Sequence, residues 1–261
     1  MTSGQVVLST LLVVPVSRVW RGDPHTFGRF RMRIRVDVVT DASRLKWDDV
    51  HQPARGVVYG LLEEHDPVVA RSLHDEGWGG HPLKPVGVAG PQFKGAPRKR
   101  GVYTTSPQGS VWFGSPVPEI AAALVSSLAR RTEIVWGAAR LRINGFTVDV
   151  GRPTPVEGLV ELQSATPVIL RREGRELLPG DAHYIERLEH NLSHKADVLG
   201  LPAPRGLRVL EAGPRRRFSV RGAPRIGAQV RVAMEADPQF VDAIRSWGLG
   251  LDTVQGFGWV R

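Results

Sequence analysis

Polar and apolar residues alternate along residues 31–39, Arg-Met-Arg-Ile-Arg-Val-Asp-Val-Val, the period of a strand with one buried face. The period then lengthens. From Pro53 onward Val57, Val58, Leu61 and Leu62 share one side of a helix. Asp66-Pro67 opens a second helix, with Val68, Val69 and Leu73 directed inward and Gly77 as its stop. Residues 77–101, rich in Gly and Pro, read as a basic loop or hairpin tip. Residues 102–105 and 110–113 read as strands paired around Pro107-Gln-Gly109. A helix is expected over 118–131 and one or two strands over 133–150. The second half repeats the order: strands at 159–163 and 167–172, a helix over 181–199 closed by Gly200, strands at 207–212 and 229–234, a helix from Pro238 capped by Asp237, and a last strand. Each half is β–α–β–β–α–β. The expected fold is α+β, with two tandem ferredoxin-like (RRM-like) domains and a C-terminal glycine-rich loop. The expected division is an N-terminal extension or extra strand (1–30), a first domain (31–154) and a second (155–261).

The glycine loop is the most distinctive segment. Gly248, Gly250, Gly256 and Gly258 form two G-x-G pairs that follow a helix and lead into the last strand. Phosphate-binding glycine motifs of dinucleotide and P-loop proteins instead follow a strand and open a helix. The order here excludes those nucleotide folds, while glycine still lets backbone N–H groups approach a phosphate or another chain.

Composition narrows the partners. Lys and Arg number 35 against 26 acidic residues, a formal charge of +9, which favours polyanions, nucleic acid foremost. The chain has no cysteine, so disulfides, thiolate catalysis and zinc fingers are excluded. The apolar stretch 6–16 is too short to span a bilayer and has neither a basic n-region nor a cleavage site. A cytoplasmic protein without a membrane partner is expected.

Five segments lie in the order of a known family: Gly56-Val-Val-Tyr59; Ser72-Leu-His-Asp-Glu-Gly77; Thr166-Pro-Val-Ile-Leu170; Leu188-Glu-His-Asn-Leu-Ser-His-Lys195; and the glycine loop. With them the chain resembles the CRISPR-associated endoribonucleases that process precursor CRISPR RNA, within the repeat-associated mysterious protein superfamily. The resemblance spans about residues 31–261. Residues 1–30 have no counterpart, and the segment after Gly77 is longer and richer in glycine than the family pattern. The resemblance implies metal-independent cleavage within CRISPR repeats, with no cofactor. The implied partners are repeat RNA, other subunits of an effector complex, and a second copy of the chain. A non-cutting subunit that holds guide RNA is the alternative.

Such cleavage needs proton transfer at the 2′-hydroxyl and at the leaving 5′-oxygen, and positive charge on the phosphorane. His74, in the last turn of its helix beside Asp75 and Glu76, is in surroundings that favour imidazolium and suit a general acid. Tyr59, on the border of its apolar stripe, is a candidate to orient ribose or phosphate. Lys84 is a candidate to hold the developing charge, with His81 and Lys94 as substitutes. His51 and His25 are substitutes for His74. His190 and His194 have the i,i+4 spacing of metal ligands, but no H-E-x-x-H pattern surrounds them, and no metal site is expected. The RNA-binding candidates are the four loop glycines, Arg98-Lys99-Arg100, Arg215-Arg216-Arg217 and Arg231, with Arg221 and Arg225 nearby. Trp247 and Trp259 flank the loop as possible stacking platforms.

Overall fold

The structure, a computed structural model, describes residues 32–97, 101–149 and 158–261. Residues 1–30, the 154/155 boundary and Arg98, Lys99 and Arg100 lie outside the described residues. Chain order in the first half begins with β1 (Met32–Val39) and β2 (Arg44–Leu45), then α1 (Ala54–His65) and α2 (Pro67–Asp75). These lead to β3 (Gly87–Phe93), β4 (Tyr103–Thr104), β5 (Gln108–Ser115), α3 (Pro118–Leu128), β6 (Glu133–Trp136) and β7 (Ala139–Asp149). The second half contains β8 (Gly158–Gln163), β9 (Arg171–Arg172), β10 (Arg175–Glu176), α4 (Tyr184–Leu199), β11 (Arg205–Ala212), β12 (Arg216–Val220), β13 (Ala223–Gly227), β14 (Val230–Ala236) and α5 (Pro238–Trp247).

The first sheet has the antiparallel order β3-β5-β1-β7-β6. Without the β6 edge strand, this is the strand order of a βαββαβ ferredoxin-like unit. Ile34, Val36 and Val38 alternate onto the face covered by α1 and α3, where they join Val58, Leu61, Phe113, Ile120 and Leu124 in one core. The second sheet has the order β11-β14-β8. Its core joins Leu162, Val232 and Met234 to Leu188 and Leu192 of α4 and to Phe240, Val241 and Ile244 of α5. The fourth strand of this unit shrinks to a single bridge, Ser164 with Val260. The expected C-terminal strand is therefore a tightly bent loop containing a 3-10 turn at Thr253–Gln255.

Three other expectations are corrected. Residues 102–105 do not pair with 110–113: β4 pairs with β2, while β5 sits between β1 and β3. The strand that completes the first unit is β3, inside the segment read as a loop. Its Gly87 and Gly90 concealed it, and Gly87 is there because a Cβ would lie 2.6 Å from the Ser246 carbonyl oxygen of α5. Val68 is 75% exposed rather than inward. The Asp66 side chain accepts the N–H groups of Val68 and Val69, and this cap sets a phase that turns Ala70 and Leu73 to the core.

The hairpin β12–β13 was not expected either. It turns through Arg221 (φ 52°) and Gly222 (φ 76°), successive left-handed residues that suit a two-residue connection. The hairpin leans on the first unit: Trp47 stacks on Phe218 at 5.2 Å and its Nε1 donates to the Arg217 carbonyl at 3.2 Å.

Candidate active site

The α1–α2 pair brings together the residues expected to carry chemistry. Tyr59 lies on α1 and His74 in the last turn of α2, and their rings meet edge-to-face at 4.8 Å. Lys84, in the segment after α2, donates from Nζ to the Leu73 carbonyl at 2.6 Å and the His74 carbonyl at 2.7 Å. Those carbonyls lack helical partners, so the ammonium caps the negative end of α2. Two of its three protons are used there. The Tyr59 hydroxyl reaches the same Leu73 carbonyl at 3.5 Å. Burial pushes the Tyr59 hydroxyl up to about 12, so the phenol stays protonated as a donor. Burial first, and the Arg55 charge second, pull the Lys84 ammonium below its ordinary range, with Asp75 opposing.

The residue missed in the sequence is Arg55. It is one turn before Tyr59 on α1, and its guanidinium lies 5.6 Å from the centre of the Tyr59 ring. Its Nη2 is 3.4 Å from Nδ1 and 3.3 Å from Nε2 of His74. The i,i+4 spacing of Arg55 and Tyr59 was the available signal. It stood out little beside the apolar stripe of the same helix.

The alternative histidines are placed elsewhere. His51 is buried, stacked on Phe257 at 4.0 Å and edge-on to Phe218 at 4.3 Å, with Nδ1 3.2 Å from the Gln255 carbonyl. Desolvation lowers it to about 4, so it is a neutral packing residue that donates to that carbonyl. The His81 ring is 6.4 Å from that of His194, which is 5.1 Å from that of His190. Among the described residues no group of three or more His, Cys, Asp or Glu is arranged to hold a metal ion. Lys94 is exposed, and His25 lies outside the described residues.

The glycine loop is packed inside the protein. A Cβ at Gly258 would lie 1.8 Å from the Leu249 carbonyl oxygen, and one at Gly250 2.7 Å from that of Ile169. One at Gly248 would lie 2.8 Å from the Gly258 carbonyl oxygen and one at Gly256 3.0 Å from His51 Nδ1. All four residues have positive φ. The N–H groups of Gly248, Gly256 and Gly258 donate to Ile244, Thr253 and Pro167 carbonyls at 2.7, 3.1 and 2.8 Å. These three donors are used within the chain, and the glycines stand where the packing leaves no room for a side chain. Thr253 Oγ1 donates to the Val86 carbonyl at 2.8 Å, tying the loop to the first unit.

Lys195, the lysine of the Asn-Leu-x-x-Lys segment, supports the loop from below. It is buried and donates to the Gly248 carbonyl at 2.7 Å, with Nζ 4.8 Å from the centre of the Trp247 ring. Burial pulls its ammonium down to about 7. Trp247 is 1% exposed and not offered to a base. Trp259 is 2% exposed and lies under Arg33, whose guanidinium is 4.5 Å from its ring centre and 5.1 Å from that of Trp112. Arg33, Trp112 and Trp259, with His51 and Phe218, line a cleft of about 420 Å³ between the units.

The basic candidates divide into two kinds. Arg215, Arg216 and Arg217 are exposed at the start of β12, and none makes an ion pair among the described residues. Arg231 is held by Glu161 at 3.1 Å and by Glu211, so much of its charge is neutralised within the sheet. Arg225 donates to Asp252 at 2.7 Å, and Arg171 pairs with the same carboxylate, fastening the hairpin to the glycine loop.

This architecture, two ferredoxin-like units closed by a glycine loop, is shared with solved structures of CRISPR-associated Cas6 and RAMP proteins. More particularly, the chain has the Cas6 fold. A Cas6-related protein of Pyrococcus furiosus superposes with a TM-score of 0.72 at 15% identity, covering 88% of this chain and 97% of that one. A RAMP protein described as binding different RNA substrates superposes at 0.73 with 17% identity, covering 88% and 98%. A CRISPR-associated protein Cas6 superposes at 0.70 with 19% identity, again covering 88% and 98%. No protein-family model matches the chain, and no curated protein matches it in sequence.

Proposed function

We propose that the chain is a metal-independent endoribonuclease that cuts precursor CRISPR RNA within its repeats to yield guide RNAs. The observation that carries this reading is the convergence of Tyr59, His74 and Lys84, from three separate segments, on the C-terminal end of α2 in a protein with the Cas6 fold. In the reaction the 2′-hydroxyl loses its proton to water and the 2′-oxygen attacks phosphorus. The P–O5′ bond breaks, and His74 protonates the departing 5′-oxygen. The products are a 2′,3′-cyclic phosphate and a 5′-hydroxyl. Tyr59 donates a hydrogen bond and Lys84 contributes charge to the phosphorane. The exposed Arg215–Arg217 cluster supplies phosphate contacts, and RNA is the macromolecular partner. The domain division near residue 155 stands as part of this proposal.

The test is cleavage of labelled repeat RNA, from an array in the same genome, by the wild type and by His74→Ala in EDTA. Site-specific cutting by the wild type is expected, with a loss of about 10²–10⁴-fold in the variant and RNA binding retained. Cutting that needs a divalent ion would overturn the metal-free reading, and cutting that survives in His74→Ala would remove His74 from the chemistry. A second reading, a subunit that holds guide RNA without cutting, is favoured by one observation: the Lys84 ammonium is already engaged by two backbone carbonyls. Tight RNA binding with no wild-type cutting would select it.

A further inference from the structure

Arg55 is a charged side chain with no acidic partner in a site rich in positive groups. It makes no ion pair among the described residues, and its Nε is buried with no hydrogen-bond partner among them. Its Nη2 is instead directed at the imidazole of His74, equidistant from the two ring nitrogens, and the guanidinium lies beside the ring of Tyr59. A guanidinium has five donors and no acceptor and is never deprotonated in proteins. Lys84 places a second cation at the same end of α2, and the Arg55 charge acts on it unfavourably. The carboxylate that acts on these groups is Asp75, which lies next to His74 and influences Tyr59 and Lys84. One carboxylate does not balance both Arg55 and Lys84. Like charges this close are costly unless an anion lies between them.

We infer that Arg55 is a catalytic residue, donating through its fork to a non-bridging oxygen of the scissile phosphate. The inference rests on the nuclease reading of the His74 site. The RNA supplies the missing anion. Its phosphate has one negative charge in the ground state and gains more as the 2′-oxygen adds, so the contact strengthens along the reaction. The planar fork matches two oxygens, or one oxygen and a bridging atom, at fixed spacing, whereas an ammonium would act as a point charge. Arg55 moves no proton. The bond changes and proton transfers remain those given above, and Arg55 holds the phosphorus oxygen in line while His74 reaches the 5′-oxygen. The face of the Tyr59 ring limits where the guanidinium can swing, and the first turn of α1 fixes its root.

The experiment compares wild type, Arg55→Ala and Arg55→Lys in single-turnover cleavage of labelled repeat RNA. Affinity is measured separately on RNA carrying a 2′-deoxy nucleotide at the cut. The expected result for Arg55→Ala is a rate loss of about 10²–10³-fold, with affinity for the uncut RNA changed by less than about threefold. Added guanidinium ion should restore part of the lost rate in Arg55→Ala and none in His74→Ala. Arg55→Lys should recover only part of the rate. Sulfur in place of one non-bridging oxygen at the cut should slow the wild type markedly and Arg55→Ala little, because the contact to that oxygen is already gone. Wild-type cutting matched by Arg55→Ala, or an equal thio-effect in both, would overturn the role of Arg55 and leave the nuclease reading standing. A rate loss without guanidinium rescue, accompanied by a lower melting temperature, would reassign Arg55 to structure. Absence of cutting by the wild type would overturn both.

Discussion

In the glycine loop, residues 253–260 are all buried, the N–H groups of Gly248, Gly256 and Gly258 donate to the chain's own carbonyls, and a Cβ at any of the four glycines would come within 3.0 Å of another atom. In the α1–α2 cluster, His74 is exposed, Arg55, Tyr59 and Lys84 are half-buried, and Arg55 has a buried N–H to spare. The loop is the more conspicuous motif, yet its residues are committed to packing. The cluster has an unremarkable sequence, yet its groups are arranged without full partners. The difference teaches that a motif's prominence reports how tightly the backbone is constrained. Buried atoms without a partner occur in both regions, Gln255 Oε1 in the loop and Arg55 Nε in the cluster, but only the cluster sets such a donor beside a histidine, a tyrosine and a lysine.

The largest effect expected from this contrast is at Gly258. Gly258→Ala forces a Cβ against the Leu249 carbonyl at a φ of 66°, and should cost about 4 kcal/mol or more in urea denaturation. A loss below about 1 kcal/mol would show that the loop yields, and the contrast would fail.

His51 gives a pH-dependent version. Folded, its imidazole stays neutral until pH nears about 4, while in the unfolded chain it takes a proton near 6.5. The unfolded state therefore binds more protons between those values. The contribution is intact above 6.5 and is lost as pH falls toward 4, by roughly 3 kcal/mol in full. The difference in stability between wild type and His51→Phe should change across this window and stay constant above it. A difference that is flat throughout would mean the ring is solvated.

A smaller effect belongs to the basic hairpin. Arg215→Ala with Arg217→Ala should reduce the slope of log affinity against log salt by about 1–2 for repeat RNA, without changing the cleavage position. An unaltered slope would remove the cluster from the RNA footprint. The smallest effect is at Gly56 in α1, where no atom lies within 4 Å of a built Cβ. Gly56→Ala should raise stability by about 0.5–1 kcal/mol, the opposite sign to Gly258→Ala. Destabilisation there would show that packing around α1 is tighter than its open flank suggests.

Much of the architecture was legible in the sequence because hydrophobic period carries it. The alternation of Arg33 to Val38 gave β1, the cap at Asp66 gave the start of α2, and Gly200 (φ 63°) gave the end of α4. What was hidden depended on contacts remote in sequence. β3 lost its strand signature because Gly87 had to admit the end of α5, more than 150 residues away. The last strand lost its ladder because the glycines bend it into the first unit. Tyr59, His74 and Lys84 were singled out through a family likeness, and the structure places them side by side at the end of α2. Arg55 was missed because one arginine on a basic chain is common, and only the absence of a carboxylate beside it sets it apart. The loop glycines were read for phosphate because their freedom permits it, but the sequence does not show which acceptors their N–H groups meet.

The hydrogen bond from Arg33 Nη2 to the Val260 carbonyl, 2.9 Å long, joins the first described strand to the far side of the glycine loop across 227 positions. During synthesis on the ribosome, the polar face of the first sheet is therefore covered only once Val260, 227 positions further along, has been made. Contacts of such separation make folding slow to commit and cooperative once committed. The two units should then melt in a single transition, so that neither serves as a refuge when the other opens.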